Sequence, residues 1–264
     1  MNAYVKEQVV LVEKVSQGVA LVVINRPQAS NAFNREVTQE LDKIVKMVEA
    51  DPEIQVAILT GAGDRAFCAG ADLKDVNQYG LEALQTTDGG FAGFVNAKRS
   101  KVWIAAVNGA ALAGGLELAL ACDLIIATSK AKFGLPEVKR GLVALAGGVI
   151  RLPRVIPYHI AKEMILTGEP IDTQRAYALG LINKIVEPND LLTAAKNMAE
   201  LIALNSPNAL KASLNIANKT FDCCEEELFH LCKQTMAELI THPDYVEGPK
   251  AFIEKRRPVW QKTA

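Results

Sequence analysis

The chain has 264 residues, 50% of them hydrophobic, with 29 basic and 30 acidic side chains and a formal net charge of −1. That much apolar material supports a large packed core, and the near-neutral balance offers no field for gathering nucleic acid or an anionic membrane surface. Five cysteines without CxxC spacing indicate neither a disulfide framework nor a zinc cluster, and with no secretory leader pattern or membrane-length apolar run the protein is expected to be cytoplasmic.

Residues 9–15 and 19–25 are rich in β-branched side chains and flank Ser16-Gln17-Gly18, which predicts two strands joined by a tight turn. From Asn34, apolar residues recur at Val37, Leu41, Ile44, Val45 and Val48, the face of a helix that closes near Asp51-Pro52. A strand over residues 54–60 follows. Residues 77–100 contain Gly80, Gly89, Gly90 and Gly93 and show little periodicity, so a mobile stretch or a loosely packed helix is expected there. Strand-like runs return at 102–107 and 123–128, with a short apolar helix over 115–121 between them. This alternation predicts an α/β fold around a mostly parallel, buried sheet.

After Val186-Glu187-Pro188 no strand-like run appears. Helices are predicted from Asp190, with Leu191, Ala195, Met198 and Ile202 on one face, from Ser206-Pro207, over 225–240 and over 249–257. The chain thus divides into a core over 1–188 and a helical region over 189–264. The apolar faces of that region must be buried on the core or on other copies of the chain.

Glu117 and Glu137 are the candidate acid/base pair. Glu117 sits in an otherwise apolar helix, where it either faces a site or satisfies free N–H groups at the helix start. Glu137 follows Pro136 and reads either as its partner or as a solvated turn carboxylate. Gly114 and Gly115 open the same helix, so their N–H groups could hold an anionic oxygen, or they could simply permit close packing. The turn around Ala69-Gly70-Ala71 could bring further N–H groups to the same place. Asp72 is suited to capping the helix that starts near Leu73, and Asp123 to steering the start of a strand. His159, His230 and His242 lack a partnered Ser or Cys motif, and no metal-ligand spacing appears. Two carboxylates beside an oxyanion cradle are the parts of an enzyme that adds or removes water.

Several stretches together resemble the crotonase family, the enoyl-CoA hydratase and isomerase superfamily. They are Asn25-Arg26-Pro27-Gln28-Ala29-Ser30-Asn31-Ala32, Ala66-Phe67-Cys68-Ala69-Gly70-Ala71-Asp72-Leu73, the run from Asn108-Gly109 through Glu117 to Asp123, Phe133-Gly134-Leu135-Pro136-Glu137, Gly147-Gly148-Val149-Ile150-Arg151-Leu152-Pro153 and Ala251-Phe252-Ile253-Glu254-Lys255-Arg256. The resemblance covers nearly the whole chain. It implies a spiral of ββα units, a carboxy-terminal helical region used in trimer formation, and trimers that commonly stack into hexamers. It also implies an acyl-CoA thioester as substrate, with no separate cofactor and no metal.

By motif position, the resemblance assigns the backbone N–H groups of Ala71 and Gly114 to the thioester oxygen. It places Ala29, Ala69 and Leu73 near the adenine of CoA and Lys74 at the CoA phosphates, with Asp72 and Leu145 also among the substrate-binding residues. Family hydratases carry both glutamates, whereas many isomerases keep only the one matching Glu137, so hydration of a 2-enoyl-CoA to a 3-hydroxyacyl-CoA is implied. Glu137 would deliver the proton to the α-carbon and Glu117 would activate water. The chain departs from the hydratase pattern at Ala144 and Leu145, which stand where Pro and Gly are usual. There the Leu145 N–H remains available to a water molecule while its side chain takes up space. Gln28 also replaces a common Lys. The run 136–143 is similar to a carnitinyl-CoA dehydratase-like subgroup, so hydration of crotonobetainyl-CoA and double-bond isomerisation are the alternatives within the family. A noncatalytic binding protein, including an RNA binder, is disfavoured by the two glutamates and the near-neutral charge.

Overall fold

The structure is a computed structural model and describes residues 8–261. The predicted hairpin is present: β1 (Val10–Ser16) pairs antiparallel with β2 (Gly18–Ile24). Asn34 caps α1 (Arg35–Ala50), its side chain accepting from the Val37 N–H at 3.0 Å, and the five apolar positions of the predicted face are all buried.

The chain continues through β3 (Ile54–Gly61), β4 (Ala66–Cys68), α2 (Leu73–Tyr79), β5 (Gln85–Thr86), β6 (Gly90–Phe91), β7 (Val102–Val107), β8 (Ala110–Leu112), α3 (Gly114–Ala121), β9 (Leu124–Thr128) and β10 (Lys132–Gly134). Then come α4 (Gly148–Val155), α5 (Tyr158–Thr167), β11 (Ile171–Asp172), α6 (Thr173–Ala178) and β12 (Lys184–Val186). The tail carries α7 (Leu191–Ala203), α8 (Pro207–Ala217), α9 (Glu225–Leu239) and α10 (Pro243–Ile253).

The larger sheet has the order β1-β2-β3-β7-β9-β12 and is parallel from β2 onward. Successive residues of its strands enter two separate cores. Trp103, Ala105 and Val107 face one side, while Val102, Ile104 and Ala106 face the other. Both faces are covered, which explains why these strands read as continuous apolar runs rather than as alternating ones. The second face is closed by α7, whose Leu191, Ala195 and Ala199 pack on Val19, Leu21, Val56 and Ile58. The helical region beyond residue 188 therefore begins with a helix that completes the sheet.

A smaller sheet has the order β11-β10-β8-β4, with β4, β8 and β10 parallel. Three times the chain runs from a long strand of the first sheet to a short strand of the second and then into a helical turn. The passages are β3 to β4 to α2, β7 to β8 to α3, and β9 to β10 to the 3-10 helix Pro136–Arg140. This is the expected ββα spiral. The short strands were not expected, because two or three residues are too few to display a period.

Two segments differ from expectation. Residues 77–100 do not form a loose helix: after α2 they form a 3-10 turn at Leu81–Leu84 and the β5–β6 ladder, and Leu84, Ala92, Phe94 and Val95 are buried. Gly93 marks the point where the segment lies against α1. A methyl group on Gly93 would come within 2.5 Å of the Thr38 carbonyl oxygen. The last helix spans Pro243–Ile253, not 249–257, because Pro243 occupies the first turn behind the cap His242 and Pro249 is tolerated inside the helix.

Candidate active site

The register of the small sheet builds the site. Cys68 on β4 pairs with Ala111 on β8, and Ala111 pairs with Phe133 on β10. Three residues beyond this row stand Ala71, Gly114 and Pro136, with Glu137 next, so three separate sequence motifs leave the sheet at one edge. The Ala71 turn is held by Phe33, whose N–H donates to the Gly70 carbonyl at 2.8 Å and whose carbonyl accepts from the Asp72 N–H at 2.8 Å. Ala113 carries the turn into α3 with φ 52° and ψ −129°, a conformation that costs a non-glycine residue of order 1–3 kcal/mol. The Ala71 and Gly114 N–H groups have no protein acceptor among the described residues.

These residues open onto a cavity of about 440 Å³ lined by both glutamates, both of those amide-bearing residues and an apolar surround that includes Leu81, Phe91, Leu112 and Val143. A wider groove of about 620 Å³ beside α8 and α9 contains only one carboxylate, Glu238, and no second acid to work with it. Of these two cavities, the first is the one that brings two carboxyl groups together.

Glu117 is 3% exposed on α3, a helix whose every residue is buried. Its Oε1 accepts the Gly148 N–H at 2.9 Å. Burial pushes its pKa up to about 7, the Gly148 N–H opposes that rise, and the negative charge of Glu137 adds to it. Burial likewise raises Glu137, against a smaller opposing pull from Arg140. The Glu137 Oε2 is buried and makes no protein hydrogen bond. Two acids that both resist ionisation and face one cavity are suited to holding one proton between them near neutral pH.

Behind Glu117 lies Arg151 of α4, which donates to the Ala146 carbonyl at 3.2 Å and the Val95 carbonyl at 2.9 Å. It joins the loop that supplies the Gly148 N–H to the loop that carries Phe91 and Asn96, both lining residues. Among the described residues it forms no ion pair, and its charge favours the ionised form of Glu117.

Of the residues expected at the site, Glu117, Glu137, Ala71, Gly114, Ala69, Leu73 and Leu145 line the cavity, while Ala29, Asp72 and Lys74 do not. Asp72 caps α2 by accepting from the Lys74 N–H at 3.1 Å, and it pairs with Arg26 at 3.1 Å. That carboxylate thus takes the capping role expected of it and is paired with Arg26 outside the cavity lining. Ala29 ends a 3-10 turn, and the following residue, Ser30, accepts the Ala69 N–H at 3.0 Å. The Leu145 N–H is not available to a water molecule, because it donates to the Val143 carbonyl at 2.8 Å, and the side chain is 76% exposed at the cavity rim. Asp123 takes the structural role expected of it, accepting from the Trp103 N–H at 2.7 Å. Gln85, Phe91, Asn96, Leu112 and Arg140 also line the cavity, and nothing in their local sequence marks them.

Fold and site together define an enzyme of the α/β class whose cavity brings two carboxyl groups beside two backbone N–H groups. The family profile described as "Enoyl-CoA hydratase/isomerase" matches residues 14–263. A short-chain-enoyl-CoA hydratase of Clostridium acetobutylicum is 38% identical over 94% of this chain and 95% of its own length. A carnitinyl-CoA dehydratase of Proteus mirabilis is also 38% identical, over 91% of this chain and 94% of its own. The crystal structure of an enoyl-CoA hydratase from Mycobacterium marinum superposes with a TM-score of 0.92 at 43% identity, covering 97% of this chain and 100% of that one. The chain belongs to the enoyl-CoA hydratase/isomerase family, the crotonases, and is a lyase of the hydratase type.

Proposed function

We propose that the enzyme adds water reversibly across the double bond of a 2-enoyl-CoA to give the 3-hydroxyacyl-CoA. The observation that carries this reading is the convergence of Glu117 and Glu137 on the cavity that also contains Ala71 and Gly114. Glu117 takes a proton from water as the water oxygen bonds to the β-carbon, and Glu137 delivers a proton to the α-carbon. Between these events the thioester oxygen carries negative charge, which the Ala71 and Gly114 N–H groups hold. The reverse reaction dehydrates the same product.

CoA enters as part of the substrate, and no other cofactor or metal takes part. Its adenine is placed along Ala29, Ala69 and Leu73, with Lys74 toward its phosphates. Double-bond isomerisation needs a single carboxylate to move a proton, so the presence of Glu117 in the same cavity favours hydration. The test is incubation with crotonyl-CoA. The expected result is loss of the conjugated-thioester absorbance together with a product heavier by one water; an unhydrated product with a shifted double bond would replace this reading with isomerisation.

The same proposal extends to assembly. On the helices after α7, Phe229, Phe252 and Ile253 are exposed, Phe252 by 86%. Apolar surface of this kind on the last helices supports a homotrimer or a dimer of trimers. Light scattering that returns the mass of a monomer at micromolar concentration would overturn it. Among the described residues no helix is long and apolar enough to cross a membrane, and we place the enzyme in the cytoplasm.

A further inference from the structure

Among the described residues lining the cavity, Arg140 is the only cation. It closes the 3-10 helix Pro136–Arg140, three positions after Glu137. In a 3-10 helix residues three apart project from the same side, and one turn advances about 6 Å. The Arg140 backbone thus stands one turn along from that of Glu137, its side chain lines the same cavity, and its charge is felt at Glu137. Its neighbour Lys139 is paired with Glu169 at 2.5 Å, but Arg140 has neither an ion pair nor a protein hydrogen bond among the described residues. Leu142, Val143 and Leu145 line the cavity just beyond it, and the other charges there are the two reacting glutamates. A planar fork of donors set beside apolar side chains is matched to a carboxylate, which it can bind through two parallel N–H···O bonds.

We propose that Arg140 selects 2-enoyl thioesters whose far end carries a carboxylate. The inference rests on the hydratase reading of this cavity and names its substrate class. It disfavours an acyl group ending in a cation, because a trimethylammonium group placed there would face a like charge.

Three thioesters with a common skeleton test the idea: crotonyl-CoA, glutaconyl-CoA, whose terminal carbon carries a carboxylate, and crotonobetainyl-CoA, whose terminal carbon carries trimethylammonium. Each is followed as the hydrated product by mass spectrometry. The expected order of kcat/KM is glutaconyl, then crotonyl, then crotonobetainyl. Arg140→Gln should cut the glutaconyl-to-crotonyl ratio about 10-fold, the scale of one charge-assisted contact at an exposed position. Arg140→Lys should cut it less, and Arg140→Glu should shift the preference toward crotonobetainyl-CoA. Ratios make the outcome independent of folded fraction and of any effect on Glu137. An unchanged ratio in Arg140→Gln, as expected were the guanidinium serving the CoA phosphates common to all three, would overturn the proposal, as would a wild-type preference for crotonobetainyl-CoA. Hydration of none of the three would instead remove the hydratase reading itself.

Discussion

Glu117→Gln and Glu137→Gln will each lower kcat for thioester hydration by about 10²–10⁴-fold, the usual contribution of a positioned acid or base. The amide keeps the shape of the side chain but can neither accept nor release the proton that hydration must move. At position 117 the replacement also keeps an acceptor for the Gly148 N–H, now 2.9 Å from Oε1, so the loop should stay in place. Because the two acids act as a unit, the double variant should be little worse than the more damaging single one. Losses of only a few-fold in both single variants would remove these residues from the mechanism.

The same substitution has a consequence for stability. The Glu117 pKa lies at about 7 in the folded protein against an ordinary value of 4.5, so the folded state holds this proton more tightly than the unfolded chain. Its stabilising contribution is fully present below pH 4.5 and is lost as pH rises through about 7. Over that window the shift corresponds to at most about 3 kcal/mol. Urea midpoints measured at pH 5 and pH 8 should therefore converge in Glu117→Gln relative to the wild type. An identical pH dependence in the two proteins would show that burial of this carboxyl is not felt in folding.

Gly115→Ala is expected to destabilise the fold by more than the 1–3 kcal/mol usual for an added methyl group, and to lower kcat by about 100-fold in the fraction that folds. A Cβ at this position would lie 1.9 Å from the Cys68 carbonyl oxygen, a backbone atom of β4 that cannot rotate away. The helix cannot retreat either, since all of α3 is buried. Any displacement of α3 carries the Gly114 N–H and Glu117 with it, so stability and catalysis should fail together. Gly141→Ala is the control. A Cβ there meets nothing within 4 Å, and the cost should be that of a positive φ alone, about 1–2 kcal/mol. Equal midpoints for the two variants in urea would show that the contact between α3 and β4 is not close.

Gly114 and Gly115 illustrate how a motif can carry two meanings at adjacent positions. From the sequence alone these glycines either hold an anionic oxygen or permit close packing. In the fold the close approach to β4 belongs to Gly115, while Gly114 lines the cavity and its N–H has no protein acceptor among the described residues. The isolated charge of Glu117 is legible for a similar reason: an acid inside an apolar helix has few places to be satisfied, and here it accepts from the Gly148 N–H and faces a cavity.

The sequence by itself determined the long elements. The hairpin, α1, β3, β7, α3 and β9 each have enough residues to display a period or a continuous apolar run, and those patterns follow from which faces are buried. The family motifs likewise marked the two acids and the Ala71 and Gly114 turns. Only the tertiary structure decided that these motifs share one edge, because that depends on the row Cys68, Ala111 and Phe133 across three-residue strands too short to announce themselves. It also decided that the Leu145 N–H is consumed by its own turn, that Asp72 is held by Arg26, and that Arg140 lines the cavity. Local sequence encodes conformation over a few residues, whereas a catalytic cavity is set by register and packing between segments far apart along the chain.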